Sequence, residues 1–510
     1  MLCANFLPVA YNLLCFDPLK GELRKRETTM AQLISTPART AGFYLLGKWI
    51  EEGTPVEIRA PFDGAPLALV YQATREHAEK AIQGAVRAFG TTRKLPAFER
   101  QRVLRSIAQF LTSRKEDFAR TIAQEAGKPL KAARTEVDRA IFTFTVAAEE
   151  TTRIPGEYLS LDWQQFTAGR WGIVRRFPLG PIAGITPFNF PLNLVAHKVA
   201  PAIASGCTIV LKPAPQTPLS SLLLAEAVEQ AGLPDGAFNV LPLSNEDARL
   251  LVTDDRIKLI SFTGSAAVGW EIKRQAGKKK VVLELGGNAG VVVHSDTDLA
   301  WAAQRCVTGG FSYAGQTCIS VQRILVERPA FGKFRDLLLE GITKLKVGDP
   351  MDESTDLGPL IRESDAVRAS EWVQQAIEDG ATLLCGGKRR GSVLEPTVLT
   401  GTRPDMKVNC EEIFAPVITL EQYEDFSQAL RLINESPYGL QAGVFTRDAT
   451  RIFQAFEELQ VGGVIAGDVP TFRIDNMPYG GVKDSGLGRE GLRYAIEEMT
   501  EPRLLVMNLR

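Results

Sequence analysis

The sequence predicts an α/β protein of two or more domains, with parallel β-sheets covered by helices. Beyond residue 200, short apolar runs rich in β-branched residues alternate with helical stretches. This alternation is typical of parallel sheets, whose strands are buried on both faces. The 510 residues are far more than one hydrophobic core usually holds. The composition, 45% hydrophobic and 23% charged, is that of an ordinary globular protein.

The first 29 residues begin with an apolar run, but Pro8 and Asn12 interrupt it and no positive charge precedes it. It is therefore a poor signal peptide and too short for a membrane span. Met30 is a candidate start, and we expect residues 1–29 to be an extension outside the fold. Two helical stretches follow within 74–150, "REHAEKAIQGAVRAF" and "KAARTEVDRAIFTFTVAAEE".

Four strand-and-helix pairs follow: "CTIVLK" with "PLSSLLLAEAVEQAG", "IKLISFTG" with "SAAVGWEIKRQAG", "AGVVVH" with "DTDLAWAAQRCVTGGF", and "RILVER" with "AFGKFRDLLLEGITKL". Two segments break this pattern. The stretch "YLSLDWQQFTAGRWGIVRRFP" has two extended runs around "TAGR" and predicts a hairpin. The final "EPRLLVMNL" predicts one more strand, with no helix after it.

The charge balance argues against nucleic-acid and membrane partners. Lys and Arg number 59 and Asp and Glu number 60, so the net charge is −1. The seven cysteines show no paired spacing and there are only three histidines, so we expect neither a disulfide framework nor a metal site. An odd cysteine count in a long chain favours a reducing compartment, and we expect the cytoplasm.

Cys318 follows the small-residue loop "AGQT" and precedes the strand "RILVE". Free cysteine is among the most buried residue types, so one interpretation is an inert buried thiol. The other is a nucleophile exposed by its loop. For a single cysteine the first interpretation is favoured, and the rest of the chain has to decide.

Four further loops carry residues that could bind a ligand or take part in catalysis. In "ISFTGSAAVG", Gly264 and Ser265 turn a strand into a helix, which indicates either a phosphate site or close helix packing. In "VVLELGGN", Glu284 ends a strand and is either a partner of nearby N–H groups or a base with a raised pKa. Asn189 in "TPFNFP" is either structural or a donor to an oxyanion. Lys212 ends the strand of "IVLKPAP", where ligands of such sheets bind.

Together these motifs resemble one family, the NAD(P)-dependent aldehyde dehydrogenases, from about Gly42 to the C-terminus. The motifs are "PFNFP", "LKPAPQTP", "FTGSAAVG", "LELGGN", "GQTC", "EEIFAPV", "YGLQAGVFT" and "MPYGGVKDSGLGREG". The resemblance implies that Cys318 attacks an aldehyde and that a thioester forms once hydride has passed to the nicotinamide. Glu284 would activate the water that hydrolyses it, and Asn189 with the Cys318 N–H would form the oxyanion hole.

The resemblance also implies a cofactor site for NAD or NADP. Lys212 and Glu412 would hold the two riboses, Phe414 would pack by the nicotinamide, and Lys198 matches a family position whose role stays open. The implied cofactor-binding residues are Ile185, Thr186, Pro187, Phe188, Lys212, Pro215, Gly264, Ser265, Gly269, Leu285, Glu412 and Phe414. At Pro215 many NAD-preferring members carry a Glu that holds the adenosine ribose, so its absence makes NADP admissible.

The fold that the resemblance implies has three parts. A Rossmann-like cofactor domain covers 30–156 and 178–290, and an α/β catalytic domain covers 291–485. A small β arm, 157–177 with 486–510, would pair with a neighbouring subunit, so a homodimer or homotetramer is expected.

We infer the residues of the substrate pocket from how far they lie, along the sequence, from the catalytic residues. The inferred pocket residues are Phe190, Leu194, His197, Ser312, Thr317, Ile319, Arg473 and Tyr479. Polar groups at His197 and Ser312 predict a short polar aldehyde such as a hydroxyaldehyde or a semialdehyde. Arg473 either receives an anionic or hydroxylated tail or is a surface or interface arginine. Thr317 stands where non-phosphorylating glyceraldehyde-3-phosphate enzymes have Arg, which argues against a phosphorylated triose.

Three alternatives stay open. A CoA-acylating semialdehyde dehydrogenase shares the cysteine, but such members generally lack a base at the position of Glu284. A non-redox cysteine hydrolase needs a histidine partner, and none is evident. A catalytically silent, crystallin-like relative fits poorly with an intact Cys318, Glu284 and Asn189.

Overall fold

The computed structural model describes residues 40–508. The predicted extension 1–29 and the candidate start Met30 lie outside the described residues. Two large, mostly parallel sheets with helices on their faces confirm the predicted α/β class.

The first sheet has eight strands, and its five central strands are parallel. Apolar, β-branched runs such as "TIVLK" and "LISFT" are buried along their whole length, as expected for strands covered on both sides. In spatial order the strands are Gly486–Leu487, Lys280–Glu284, Leu259–Thr263, Pro181–Ile185, Thr208–Lys212, Phe238–Val240, Phe43–Leu45 and Lys48–Ile50.

The second sheet has seven strands, and only the first of them runs antiparallel to its neighbour. In spatial order they are Thr382–Cys385, Thr397–Thr400, Val417–Tyr423, Val321–Glu327, Ala289–Val293, Gln441–Phe445 and Gly463–Ala466. The chain passes from the first sheet to the second between Glu284 and Ala289. This short link brings the carboxyl end of one sheet against the other, and the cleft between them holds the site described below.

The third sheet is antiparallel and has three strands: Thr500–Asn508, Arg170–Pro178 and Glu157–Ser160. It contains the predicted hairpin and the predicted final strand. Leu504, Leu505 and Val506 are about half exposed on it. The predicted arm segment 486–510 divides between two places, because Gly486–Leu487 pairs with the first sheet and only the last strand joins the third. The subunit contact of this sheet stays a prediction, as do the domain boundaries.

The helices of the described residues fall into two groups. Those before residue 290 or after 490 pack around the first sheet: Arg75–Thr92, Ala97–Ser113, Lys115–Ala126, Leu130–Glu150, Asn193–Ser205, Leu219–Ala231, Arg249–Thr253, Ala266–Gln275 and Leu492–Glu498. The remainder belong to the second sheet: Leu299–Phe311, Arg328–Thr343, Glu363–Glu378, Lys407–Cys410, Phe426–Asn434 and Ala449–Glu458. Within residues 40–508 no helix has the length and apolar character needed to span a membrane.

The smaller elements complete the chain. A three-stranded sheet contains Thr40–Ala41, Pro66–Tyr71 and Pro55–Arg59. Two strand pairs are Arg389–Arg390 with Val393–Leu394 and Tyr438–Gly439 with Val482–Lys483. Short 3₁₀ helices lie at Gln165–Thr167 and Ser312–Gly315.

Candidate active site

A cavity of about 720 Å³ opens between the two large sheets. Asn189, Glu284 and Cys318, the three predicted catalytic residues, all line it. They come from segments far apart in the sequence, and the crossing between the sheets brings them together. The cavity has room for a small substrate together with part of a larger ligand.

The register of the first sheet explains why several predicted residues share one edge. Ile185 pairs with Lys212, and Thr263 pairs with Glu284, each at the carboxyl end of its parallel strand. In open α/β sheets this edge is where ligands bind. The strands therefore place Glu284 and Lys212 at the same edge of the sheet, and Glu284 lines the cavity there.

The loop before Cys318 is bent by three consecutive residues in the left-handed region. Tyr313, Ala314 and Gly315 have φ values of 50°, 53° and 71°. Only glycine fits at the third, because a Cβ on Gly315 would lie 2.2 Å from the carbonyl oxygen of Ala415. The Tyr313 hydroxyl donates to the carbonyl of Ala126 at 2.7 Å and anchors the bend. The turn ends the preceding helix and sends Cys318 into the cavity.

Gln316 fastens the same loop to the second sheet's domain and to Asn189. Its side-chain oxygen accepts from the Ile361 N–H at 2.8 Å, and its amide donates to the Pro359 carbonyl at 3.3 Å. Its own carbonyl accepts from Asn189 Nδ2 at 3.0 Å. An amide NH₂ has two hydrogens, so this bond orients Asn189 and leaves its second N–H for the cavity.

The Cys318 thiol lies 2.9 Å from the Tyr479 hydroxyl. Burial raises the pKa of this thiol to about 11, while the Tyr479 hydrogen bond and the charge of Arg473 act in the opposite direction. At neutral pH the thiol therefore holds its proton in the ligand-free chain. Its conversion to the nucleophilic thiolate needs a base or a nearby positive charge.

Glu284 is 3% exposed, and neither of its carboxylate oxygens has a hydrogen-bond partner among the described residues. Burial, and then the negative charge of Glu490, raise the pKa of Glu284 well above its ordinary value. Buried carboxylates are normally paired. A buried carboxyl that has no hydrogen-bond partner and shares a cavity with a cysteine holds a proton more tightly than an ordinary carboxylate, as a general base requires.

Behind Cys318, Arg473 links the cavity to a buried ion-pair network. Its guanidinium stacks 3.6 Å from the centre of the Tyr479 ring and donates to Glu490 at 3.1 Å. The second oxygen of Glu490 accepts from Lys198 at 3.2 Å. Lys198, whose role the family resemblance left open, is therefore an ion-pair partner of Glu490. Although burial opposes it, the charges of Lys198, His197 and Arg473 hold the pKa of Glu490 below its ordinary value.

A second part of the network surrounds Asp475. This carboxylate contacts His197 Nε2 at 2.8 Å, Arg139 at 2.6 Å and Asn193 Nδ2 at 3.2 Å. Although burial opposes it, the His197 hydrogen bond and the Arg139 charge lower the pKa of Asp475. Burial, with the Arg473 charge, lowers the pKa of His197. His197, predicted in the pocket, therefore lies behind its wall as a partner of Asp475 and Arg473.

The cofactor-binding residues predicted to lie beside the catalytic ones also line the cavity: Pro187, Phe188, Gly264, Ser265, Leu285, Glu412 and Phe414. Gly269 does not line it but permits close packing, because a Cβ there would lie 2.3 Å from the Leu285 side chain. The Ala266–Gln275 helix starts at Ser265 with no side-chain cap, which leaves N–H groups for a phosphate. Glu412 accepts from the Gly287 N–H at 2.8 Å, and its second oxygen lies towards the same glycine-rich link.

Four predicted cofactor residues lie at the sheet edge outside the cavity lining: Ile185, Thr186, Lys212 and Pro215. Lys212 is buried, and its ammonium donates to the neutral side chain of Asn245 at 3.3 Å. Burial lowers the pKa of Lys212 to about 8. Pro215 is exposed three residues further along. A buried ammonium without a carboxylate partner and an uncapped helix start fit a dinucleotide with ribose hydroxyls and a pyrophosphate.

Of the predicted substrate residues, those that line the cavity are Phe190, Leu194, Ser312, Thr317, Ile319 and Arg473. Arg473 is buried, with a side chain 6% exposed, so it is not a surface arginine. Tyr479 borders Cys318 from behind.

Lys128, Glu136, Arg139 and Arg305 also line the cavity, and sequence reasoning did not find them. Lys128 lies 3.6 Å from the Phe190 ring centre and pairs with Glu136. Glu136, Arg139 and Arg305 lie on helices, and Lys128 lies just before one; none of these segments has a recognisable sequence motif. Within residues 40–508 no three His, Cys, Asp or Glu residues are grouped to hold a metal ion.

Comparison with known proteins matches this geometry to one family. The sequence profile described as "Aldehyde dehydrogenase family" matches residues 49–505. A 3-sulfolactaldehyde dehydrogenase of Priestia aryabhattai is 43% identical over 475 residues, which cover 93% of this chain and 99% of that protein.

Two solved structures are similar throughout. Aldehyde dehydrogenase 21 of Physcomitrella patens, in complex with the reaction product succinate, has a TM-score of 0.91 at 45% identity, covering 93% of this chain and 99% of that one. An NADP-dependent glyceraldehyde-3-phosphate dehydrogenase of Bacillus halodurans, complexed with NADP, has a TM-score of 0.90 at 36% identity, covering 92% and 100%. The chain therefore belongs to the aldehyde dehydrogenase family.

Proposed function

We propose that this enzyme oxidises a short aldehyde with an anionic or hydroxylated tail to its carboxylate through a thioester on Cys318. As an aldehyde dehydrogenase it uses NAD or NADP. The observation that carries the proposal is the pair of buried, reactive groups in one cavity: the Cys318 thiol and the unpartnered carboxyl of Glu284. A purely structural cavity would not retain an unpaired carboxyl, because burying it costs stability.

In the first step Cys318 loses its proton and its sulfur attacks the aldehyde carbon, forming a C–S bond and an alkoxide. Glu284, whose oxygens have no partner, is the base available for that proton. The second N–H of Asn189 and the backbone N–H of Cys318 would stabilise the alkoxide. One such donor commonly contributes about 3 kcal/mol to transition-state stabilisation.

When bound, the nicotinamide supplies an acceptor for the hydride that leaves the tetrahedral carbon. Oxidation of that carbon leaves a thioester on Cys318. Glu284 releases the Cys318 proton to solvent and then takes a proton from water. The hydroxide attacks the thioester carbonyl, the C–S bond breaks, the proton on Glu284 returns to the departing thiolate, and the acid that forms ionises. The products are the carboxylate and the regenerated Cys318 thiol, so Glu284 serves both proton transfers.

The tail of the substrate would lie against Arg473. The Nε atom of this guanidinium is buried without a hydrogen bond among the described residues and lies 4.0 Å from Asp475, and Thr317 nearby has a hydroxyl without a hydrogen bond. Both residues line the cavity, as do Ser312 and Arg139. Two relatives support this class, because sulfolactaldehyde and the aldehyde that would give succinate are both short aldehydes with an anionic end. Arginine recognises such groups through paired N–H donors.

We also propose roles for the domains, an oligomeric state and a cellular location. The first sheet would form the cofactor domain (30–156 and 178–290), and the second sheet the catalytic domain (291–485). The third sheet would join subunits in a homodimer or homotetramer. A neighbouring subunit would bury its exposed leucines and pair with the backbone groups of its edge strand. The enzyme would act in the cytoplasm.

The test is an aldehyde panel followed by absorbance of the reduced nicotinamide. Lactaldehyde, succinate semialdehyde, hexanal and benzaldehyde are compared by kcat/KM, with NAD and with NADP, and with and without CoA. We expect the two polar aldehydes to be preferred and CoA to have no effect, because Glu284 hydrolyses the thioester.

Two results would contradict the proposal in different ways. A tenfold preference for hexanal or benzaldehyde, equal to about 1.4 kcal/mol, would overturn the polar tail but keep the reaction. A strict need for CoA would overturn hydrolysis by Glu284.

A further inference from the structure

A second cavity, of about 500 Å³, lies away from Cys318 between the first and third sheets. Its walls are the end of the Arg75–Thr92 helix, the start of the Ala97–Ser113 helix, the link after the Leu130–Glu150 helix, and the Arg170–Pro178 strand. None of the chemistry above uses it. Its lining is rich in positively charged side chains.

Five cationic side chains line this second cavity, and no Asp or Glu does: Arg93, Lys94, Arg100, Arg175 and Arg176. Of the nearby carboxylates, Glu99 pairs with Arg102 and Glu150 with Arg153, while Glu157, next to the lining residue Gly156, forms no ion pair with these cations in the described part of the chain. Among the ion pairs formed within 40–508, none involves these five cations. Cations gathered without counter-charges repel one another, so an anion bound among them would be stabilised.

The five cations divide by their contacts. Arg176 is engaged structurally, because it donates to the Thr500 side chain at 2.8 Å and to the Glu497 carbonyl at 2.6 Å. Arg100 donates to the Ala204 carbonyl, and its Nε is buried without a partner. Arg93, Lys94 and Arg175 are exposed. Three exposed cations therefore surround one partly buried guanidinium, whose Nε has no hydrogen-bond partner among the described residues.

The start of the Ala97–Ser113 helix adds to the positive potential. Its N-cap is Pro96, with no side-chain cap, and Leu95, Pro96 and Ala97 line the cavity. Unsatisfied N–H groups at a helix start favour a phosphate. The cavity also has apolar walls, including Ile154 and Phe177, that suit an organic body.

We propose that this cavity binds a phosphorylated small molecule, with its phosphate held by Arg93, Lys94, Arg100 and Arg175. Arginine forks match phosphate oxygens, and the volume exceeds that needed for a single inorganic ion. A carboxylate segment from a second copy of the chain is the competing occupant. The recessed Nε of Arg100 favours the small anion, which can enter the cavity completely.

The test uses the full chain without added dinucleotide, in a phosphate-free buffer of low ionic strength, and any binding by the cofactor cleft is the binding that remains in the variant described below. Titration calorimetry measures binding of inorganic pyrophosphate and of ribose 5-phosphate. The variant is Arg93→Ala with Lys94→Ala, two exposed residues whose loss should leave folding and dehydrogenase activity unchanged. The matched control is Lys388→Ala with Arg390→Ala, which removes the same charge from another exposed segment.

We expect both probes to bind the wild type and the control, and to bind the double variant at least tenfold more weakly. Equal affinities for wild type and double variant would overturn the site, as would equal weakening in the control. Binding of pyrophosphate without ribose 5-phosphate would overturn the organic ligand. If neither probe binds and the double variant alone has a lower oligomer mass in sedimentation, the cavity is a subunit contact and the proposal is wrong.

Discussion

Two groups of buried polar residues border the active-site cavity, and they differ in how their charges are satisfied. In the network of Arg473, Glu490 and Asp475, each charge faces an opposite charge, and the pKa values of both carboxyls are lowered. In the reaction centre Glu284 has no partner, and the pKa values of Glu284 and Cys318 are raised. The same burial therefore produces a fixed charge in one place and a proton-exchanging group in the other.

The comparison shows what a reactive group in this enzyme needs: burial without an ion-pair partner. The paired network provides the wall and its positive potential, and the unpaired groups provide the chemistry. Variants that remove a reactive group or a partner should separate these roles.

The largest effect is expected from Cys318→Ala. No thioester can form, so aldehyde-dependent reduction of the cofactor should fall at least about ten-thousand-fold. NADP binding, followed by quenching of protein fluorescence, is the control and should stay as in the wild type. Activity within tenfold of wild type would show that Cys318 is not the nucleophile.

Glu284→Gln should come next. The first turnover should still reduce about one cofactor per active site, although more slowly because Cys318 loses its nearby base, while steady-state turnover falls roughly a hundredfold or more. Rapid-mixing absorbance measures both phases. In the wild type, deacylation should slow as the pH falls through the raised pKa of Glu284, because the protonated carboxyl cannot accept a proton from water. Normal steady-state rates in the variant would remove Glu284 as the base.

Arg473→Ala breaks the paired network where it meets the cavity. We expect kcat/KM for succinate semialdehyde to fall about ten- to a hundredfold, the effect of losing a charged hydrogen bond. The readout is the ratio of this value to that for hexanal, which a general loss of structure would not change. Arg305→Ala is the matched control, since Arg305 also lines the cavity but pairs with Asp468. An unchanged ratio would restrict Arg473 to a structural role.

Tyr479→Phe tests the contact between the two groups of residues. The Tyr479 hydroxyl lowers the pKa of the Cys318 thiol, so its removal should shift the pH profile of Cys318 alkylation upward. The rate with iodoacetamide at pH 8 should fall by up to about tenfold, as expected for one hydrogen bond to a charged group. An alkylation profile identical to the wild type would show that the 2.9 Å contact does not stabilise the thiolate.

The smallest effect is expected at the solvent edge, where Pro215→Glu places a carboxylate near the expected adenosine ribose. Two exposed like charges repel by about 1 kcal/mol, so the ratio of kcat/KM for NAD to that for NADP should rise about fivefold. Steady-state kinetics with both cofactors measures it. If the wild type already rejects NADP, residues other than Pro215 set the preference.

The sequence predicted many of the residues that line the cavity, because strand ends and glycine-bearing loops are local patterns. Glu284 and Lys212 each end an apolar strand, and the parallel register then brings them to one edge. Asn189, Glu284 and Cys318 line one cavity, and their catalytic roles stay predictions.

The paired network could not be read from the sequence. Arg139 and Asp475 are separated by 336 residues, and neither belongs to a periodic pattern. His197 was placed in the pocket because it follows Asn189 closely, but the helix turns its ring towards Asp475. The left-handed bend at Tyr313 and Ala314 also had no signal, because non-glycine residues rarely adopt that conformation.

The unpaired carboxyl of Glu284 also has a thermodynamic consequence for the fold. Its pKa is raised in the folded chain, so between the ordinary value near 4.5 and the folded value the native state holds a proton that the unfolded state releases. Folding then loses up to about 1.4 kcal/mol for every pH unit crossed in that window. The contribution of Glu284 therefore makes the ligand-free enzyme less stable above this pH window than below it.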